Sequence, residues 1–153
     1  MKITEILSED MVLPNLQSAT KADLLRELAR SFTKPFPNLD AAAVAGVLGE
    51  RERLGSTAIG DGIAIPHGKI RGVNRIAGAF GRHPKGVDFD SLDGNPTHLF
   101  FVLIAPEDST SLHLKALARV SRLFRDGAFR ERLEAADGAQ DLYRLIVEED
   151  SRY

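Results

Sequence analysis

Cysteine is missing from all 153 residues, which excludes disulfides, thiolate nucleophiles and cysteine metal sites. A run of 18 apolar residues is missing too, so no segment reads as a membrane-spanning helix. The opening MKITEILSED carries acidic residues where a secretory leader needs an apolar stretch and a cleavage site. Nor is there a basic surplus. Twenty Lys and Arg against 22 Asp and Glu, mixed along the chain, give a formal net charge of −2. Nucleic-acid binders neutralise phosphates and carry a basic excess or stripe, so that class is set aside. The densest charged stretch, Glu50-Arg51-Glu52-Arg53, alternates in sign and reads as helix surface. These absences lead us to expect a soluble, cytoplasmic protein that neither inserts into a membrane nor binds nucleic acid.

What is present is an ordinary globular composition, 43% hydrophobic, in a length that fits one domain over residues 1–153. Met11 to Leu16 reads as an edge strand because Pro14 lies inside it. Thr20 with Asp23 resembles a capping box opening a helix with Leu24, Leu25, Leu28, Ala29 and Phe32 on one face. Pro35 and Pro37 break it. Asp40 caps a second helix from Ala41 to about Leu54, stopped by Gly55. Short β-type pieces follow at Thr57–Ile59 and Ile63–Ile65, with a turn at Gly60-Asp61-Gly62. Ile76–Gly81 and His98–Ile104 read as fuller strands, the second apolar enough for a central position. Helices are expected at Ser111–Phe124, Gly127–Ala135 and Gln140–Glu149. That order indicates an α/β domain, a small mixed sheet flanked by helices.

The glycine-rich piece GSTAIGDG, residues 55–62, invites a nucleotide reading. A phosphate-binding loop needs a lysine after its second glycine, and Asp61 stands there instead. A third glycine opening a helix, as in dinucleotide sites, is absent as well. No cofactor is implied.

The stretch that follows, GDGIAIPHGK, is more informative. Ile65 precedes a proline and is pushed toward an extended conformation. Pro66 cannot donate to a neighbouring strand, so the strand is expected to end there. His67 then stands on restricted backbone, and Gly68 permits close approach of another group and leaves room for an incoming donor. An ordinary loop histidine could share this context. Arg51 and His113 add weight. Arg51 falls three after Leu48, four after Val47 and three before Leu54, along the apolar stripe of its helix. A cation there either snorkels to water or meets an anion. Steps of four, three and four link His113 to Leu117, Val120 and Phe124 in the first turn of a helix, where unpaired N–H groups favour anions. It is either a satisfied core histidine or part of the same site. Together these residues suit an anion better than a metal, which would want further ligands and no arginine. A neutral imidazole is nucleophilic near pH 7, and phosphoryl transfer asks mainly for alignment and for donors to the equatorial oxygens.

The stretch RERLGSTAIGDGIAIPHGK, residues 51–69, resembles the active-site signature of the fructose/mannitol-type (type-2) enzyme IIA family of the bacterial phosphotransferase system, and spacing and element order extend the likeness over the chain. The resemblance implies the mannitol/fructose-type IIA fold. It also implies a phosphohistidine carrier with His67 as phosphoacceptor through a tele-phosphohistidine, Arg51 as its cationic partner and His113 as the second active-site histidine. Ser56, Thr57 and Asp61 match the signature as pocket-lining residues. Where many members carry a further histidine, this chain has Lys115, and no role is carried onto it. The N-terminal ITEIL and the SATKADLLRELA helix look like the nitrogen-regulatory branch. That branch implies a histidine phosphocarrier protein as donor and a regulatory target as acceptor. The alternatives are a sugar-specific component passing phosphate to a IIB domain, and a non-catalytic interaction module.

Overall fold

The computed structural model describes residues 1–153. Two 3-10 turns, Ile3–Glu5 and Glu9–Met11, lead into β1 (Val12–Leu13) and two helices, α1 (Lys21–Ser31) and α2 (Ala41–Arg53). Three short strands follow, β2 (Ala58–Gly60), β3 (Ile63–Ala64) and β4 (His67–Lys69), then two long ones, β5 (Ala77–Val87) and β6 (Thr97–Ala105). The chain closes with α3 (Thr110–Leu123), α4 (Gly127–Ala135) and α5 (Ala139–Asp150). The expected caps are present. Thr20 Oγ1 accepts from Asp23 N at 3.2 Å, and Asp40 Oδ1 accepts from Ala42 N at 3.0 Å, each satisfying an otherwise orphan donor.

The sheet is mixed, in the order β1-β5-β6-β3-β2. β5 and β6 pair antiparallel at its centre, and β1 adds parallel to β5. On its other side β6 pairs parallel with both β3 and β4, which lie one after the other along it. This corrects the expectation that pairing stops at Pro66. The missing N–H of Pro66 interrupts the ladder, yet its carbonyl accepts from Leu103 N at 3.0 Å and pairing resumes at His67. The first long strand, β5, also outruns its expected end at Gly81. It reaches Val87 because a bulge between Arg82 and Val87 absorbs Pro84 where no ladder bond is needed.

β6 supplies the spine of the core, since every residue from Leu99 to Ala105 is buried. Helix α3 packs on it, and a phenylalanine cluster fills the space beyond: Phe80 stacks on Phe124 at 5.8 Å, and Phe101 meets Phe124 edge-on at 6.0 Å. Two buried polar groups tie the periphery down. Asp150 accepts from Ile3 N at 2.9 Å and from Arg119 Nε at 2.7 Å, joining the N-terminus, α3 and α5. Arg82, only 8% exposed, donates from Nε to Pro14 O at 3.1 Å and from Nη1 to Leu133 O at 2.9 Å and Ala136 O at 2.7 Å. It thereby closes the C-terminus of α4 against the edge of the sheet.

Candidate active site

His67 opens β4 opposite Leu103 of the buried spine, so its backbone is held by the most rigid part of the fold. Its Nδ1 lies 2.8 Å from Ile65 O. A carbonyl can only accept, so Nδ1 carries the proton, and Nε2 is left with its lone pair. Arg51 confirms the assignment, because its Nε–H donates to Nε2 at 3.2 Å. A second bond, Nη1 to Gly55 O at 2.9 Å, anchors the guanidinium to the turn that ends α2. Arg51 is therefore neither stray nor snorkelling; it reaches across to the histidine.

His113, in the first turn of α3, places its ring centroid 5.4 Å from that of His67. It is buried, and its Nδ1 has no hydrogen-bond partner. The three residues singled out by sequence thus meet in one cleft of about 490 Å³, together with Val47, Leu54, Leu114 and Leu117. Lys69, which sequence reasoning passed over, lines the same cleft and donates to Thr110 Oγ1 at 2.9 Å across its mouth. Leu54 and Leu114 stand 85% and 61% exposed, giving the cleft an apolar rim. A larger hollow beside Pro35–Asp40 and Ile70–Gly72 holds no histidine. No group of three His, Asp or Glu side chains stands together to hold a metal ion.

Several expected placements are corrected. Leu54 was expected inward, but the buried ridge of α2 is Val44, Leu48 and Glu52, in steps of four. That ridge turns Val47, Arg51 and Leu54 toward the cleft. Gly68 does not leave room for an incoming donor. A Cβ there would come within 2.6 Å of Val47 Cγ1, so this glycine lets α2 lie against β4. Ser56, Thr57 and Asp61 lie outside the cleft. Ser56 Oγ donates to Phe89 O at 2.7 Å, Thr57 is buried against Glu52, and Asp61 sits in the turn at φ 59 within 3.9 Å of Arg130. The signal for Glu52 was available, since it follows Leu48 by four as Leu48 follows Val44.

Burial pushes the His67 imidazole below its ordinary 6.5, and the Arg51 charge adds to this against the Ile65 hydrogen bond and the Glu52 carboxylate, which raise it. Burial lowers His113 too, aided by repulsion from the Lys69 ammonium and, whenever it is protonated, from His67. Both rings are therefore neutral at pH 7. The unfolded chain binds protons at these positions before the folded one does, so folding stability is full above pH 6.5 and declines as pH falls through and below that value. Urea titrations across pH 5–8 should show that decline in the wild type. It should shrink in a His67→Gln/His113→Gln double variant.

A family model described as phosphoenolpyruvate-dependent sugar phosphotransferase system, EIIA 2, matches residues 5–149. A nitrogen regulatory protein of Bradyrhizobium diazoefficiens is 42% identical over 147 residues, 96% of this chain and 95% of that protein. The crystal structure of nitrogen regulatory protein IIA-Ntr from Neisseria meningitidis superposes with a TM-score of 0.87 at 35% identity, covering 94% of this chain and 98% of that one. IIA mannitol from Escherichia coli, at 22% identity and a TM-score of 0.76 over 92% of this chain and 98% of its own, shares the fold. No helix here is long and apolar enough to cross a membrane.

Proposed function

The chain belongs to the EIIA 2 family of the phosphotransferase system, and from that premise we propose that it is a regulatory phosphohistidine carrier, accepting a phosphoryl group on His67 Nε2. The observation that carries this reading is the single hydrogen-bonded line Ile65 O, His67, Arg51, which keeps the proton on Nδ1 and leaves Nε2 unprotonated, capped only by a cation, in the lining of an open cleft. The donor is a phosphorylated histidine phosphocarrier protein, docked on the apolar rim of Leu54 and Leu114. His67 Nε2 attacks phosphorus in line, the bond from phosphorus to the donor nitrogen breaks, and the donor imidazole leaves with the electron pair. The positive charge that develops on His67 is held at Nδ1–H by Ile65 O. Arg51 turns its donors from Nε2 to the phosphoryl oxygens, where preorganised charge is most effective. His113 serves as a further donor at the edge of the phosphoryl group.

Names among the relatives, nitrogen regulatory protein and IIA-Ntr, favour a regulatory output, and for it we propose a target protein reached by contact as acceptor. The family description, which names a sugar phosphotransferase system, and the solved complex of IIA mannitol with phosphorylated IIB mannitol from Escherichia coli support a second reading, transfer to a sugar-specific IIB domain. Time courses of transfer from the phosphorylated carrier, followed by intact mass, test the first step. Addition of a IIB domain, with loss of label from the chain, separates the two outputs. Labelling that never occurs while a partner still binds would leave only an interaction module. Arg51→Gln should keep the fold and slow uptake about 100-fold, the effect of removing one preorganised donor. Unchanged rates would deny Arg51 its role.

A further inference from the structure

A buried carboxylate stands behind the site with no part in the chemistry described. Glu52 is 8% exposed, and it accepts from Thr57 N at 3.1 Å and from Thr57 Oγ1. Lys21 Nζ of α1 pairs with it at 3.0 Å, and also lies over the Phe89 ring at 4.6 Å. This clamp holds Thr57, at the end of the turn that follows α2. Thr57 O accepts from Ile65 N at 3.4 Å, and Ile65 O in turn takes the Nδ1 proton of His67. Gly55 N is held by Glu52 O at 3.1 Å, and Gly55 O takes Nη1 of Arg51. The Glu52 carboxylate therefore fixes Thr57, whose carbonyl holds the Ile65 segment behind the nucleophile, while only the main chain of Glu52 reaches the Gly55 anchor of the cation.

Building on the function proposed above, we propose that the Glu52 carboxylate, with Thr57 and Lys21, is the positioning group that sets the tautomer and orientation of His67. A carboxylate is suited to this task. It accepts two donors from one residue at once, and burial makes its geometry costly to abandon. Lys21 supplies the compensating charge such burial demands. The Glu52 field also acts on the imidazole directly, opposing that of Arg51. Thr57, matched to the family signature but absent from the cleft, acquires its place here: it links the carboxylate to the histidine.

The test uses the full chain and a phosphorylated histidine phosphocarrier, with Glu52→Gln, Thr57→Val and Thr57→Ser. Transfer rates are measured against donor concentration, and nitrogen NMR of the His67 ring reports tautomer and titration. Glu52→Gln and Thr57→Val should lower the maximal rate about 10- to 100-fold, as small misplacements of reacting groups do, with donor KM nearly unchanged. Both should also shift the His67 ring signals away from the Nδ1–H form, and Thr57→Ser should restore rate and signals together. If Glu52→Gln fails to fold, Thr57→Val, which keeps the backbone N–H and the side-chain volume, decides alone. Wild-type rates with unmoved ring signals overturn the proposal. So does a rate loss that merely follows the unfolded fraction while the ring signals stay put. If the wild type takes no phosphoryl group, the functional reading has failed, and the ring spectra of the variants still decide whether the clamp positions His67.

Discussion

His67→Gln takes up no phosphoryl group from a competent donor, a loss of at least about 10⁴-fold, since removing a nucleophile abolishes the step rather than weakening it. The expectation rests on the geometry of one nitrogen. Nε2 of His67 is the acceptor to which Arg51 already points, and the proton that would compete for it is held on Nδ1 by Ile65 O. Glutamine preserves a polar side chain of similar reach without an sp² nitrogen lone pair, so a folded, inactive protein is the result to look for. Intact mass after incubation with the phosphorylated carrier provides the measurement, and acid lability of the product identifies a phosphorus–nitrogen bond. His113 is the internal control. It shares the cleft but is only 6% exposed, and retained uptake in the His67 variant would transfer the acceptor role to it.

Arg82→Met lowers stability by about 3 kcal/mol, because it leaves one buried and two part-buried carbonyls without their donor. Methionine replaces the bulk of the stem but none of the N–H groups that reach Pro14, Leu133 and Ala136. The cation also sits at the C-terminal end of α4, where the helix dipole favours it. For a chain of this size the loss amounts to a fall in Tm on the order of 10 °C. Calorimetry of the purified variant supplies the number, and transfer assays below the transition should find the His67 chemistry intact. A Tm unchanged within a degree or two would mean that water replaces the guanidinium at those carbonyls.

Arg82 also shows where sequence reading stops. On the page it is one arginine in GAFGRHPKG, just past the expected strand end at Gly81. Nothing local announces that its partners are Pro14 on one side and Leu133 and Ala136 on the other, some 50 to 70 positions away along the chain. Glu52 illustrates a milder failure. Its spacing from Val44 and Leu48 was legible, but the stripe was drawn through Arg51 and Leu54, because hydrophobic character and not geometry chose the members. Gly68 was read as space for a visitor when its job is to admit Val47. In each case the local pattern stated a need, whether an inward charge or a missing side chain, and the neighbour that met it came from another element.

By itself the sequence determined the helices, their caps and breaks, the central apolar strand and the three side chains that we propose make up the site. These depend on periodicity, on proline and glycine, and on residue chemistry, all of which are local along the chain. The likeness of residues 51–69 to a known signature named the histidine. Only the tertiary structure decided that His67, Arg51 and His113 converge, since they lie on β4, α2 and α3 and meet through the packing of two helices around one end of β6. It decided as well which imidazole nitrogen is free, because that follows from a carbonyl two residues back and an arginine sixteen residues back pressing on opposite sides of one ring.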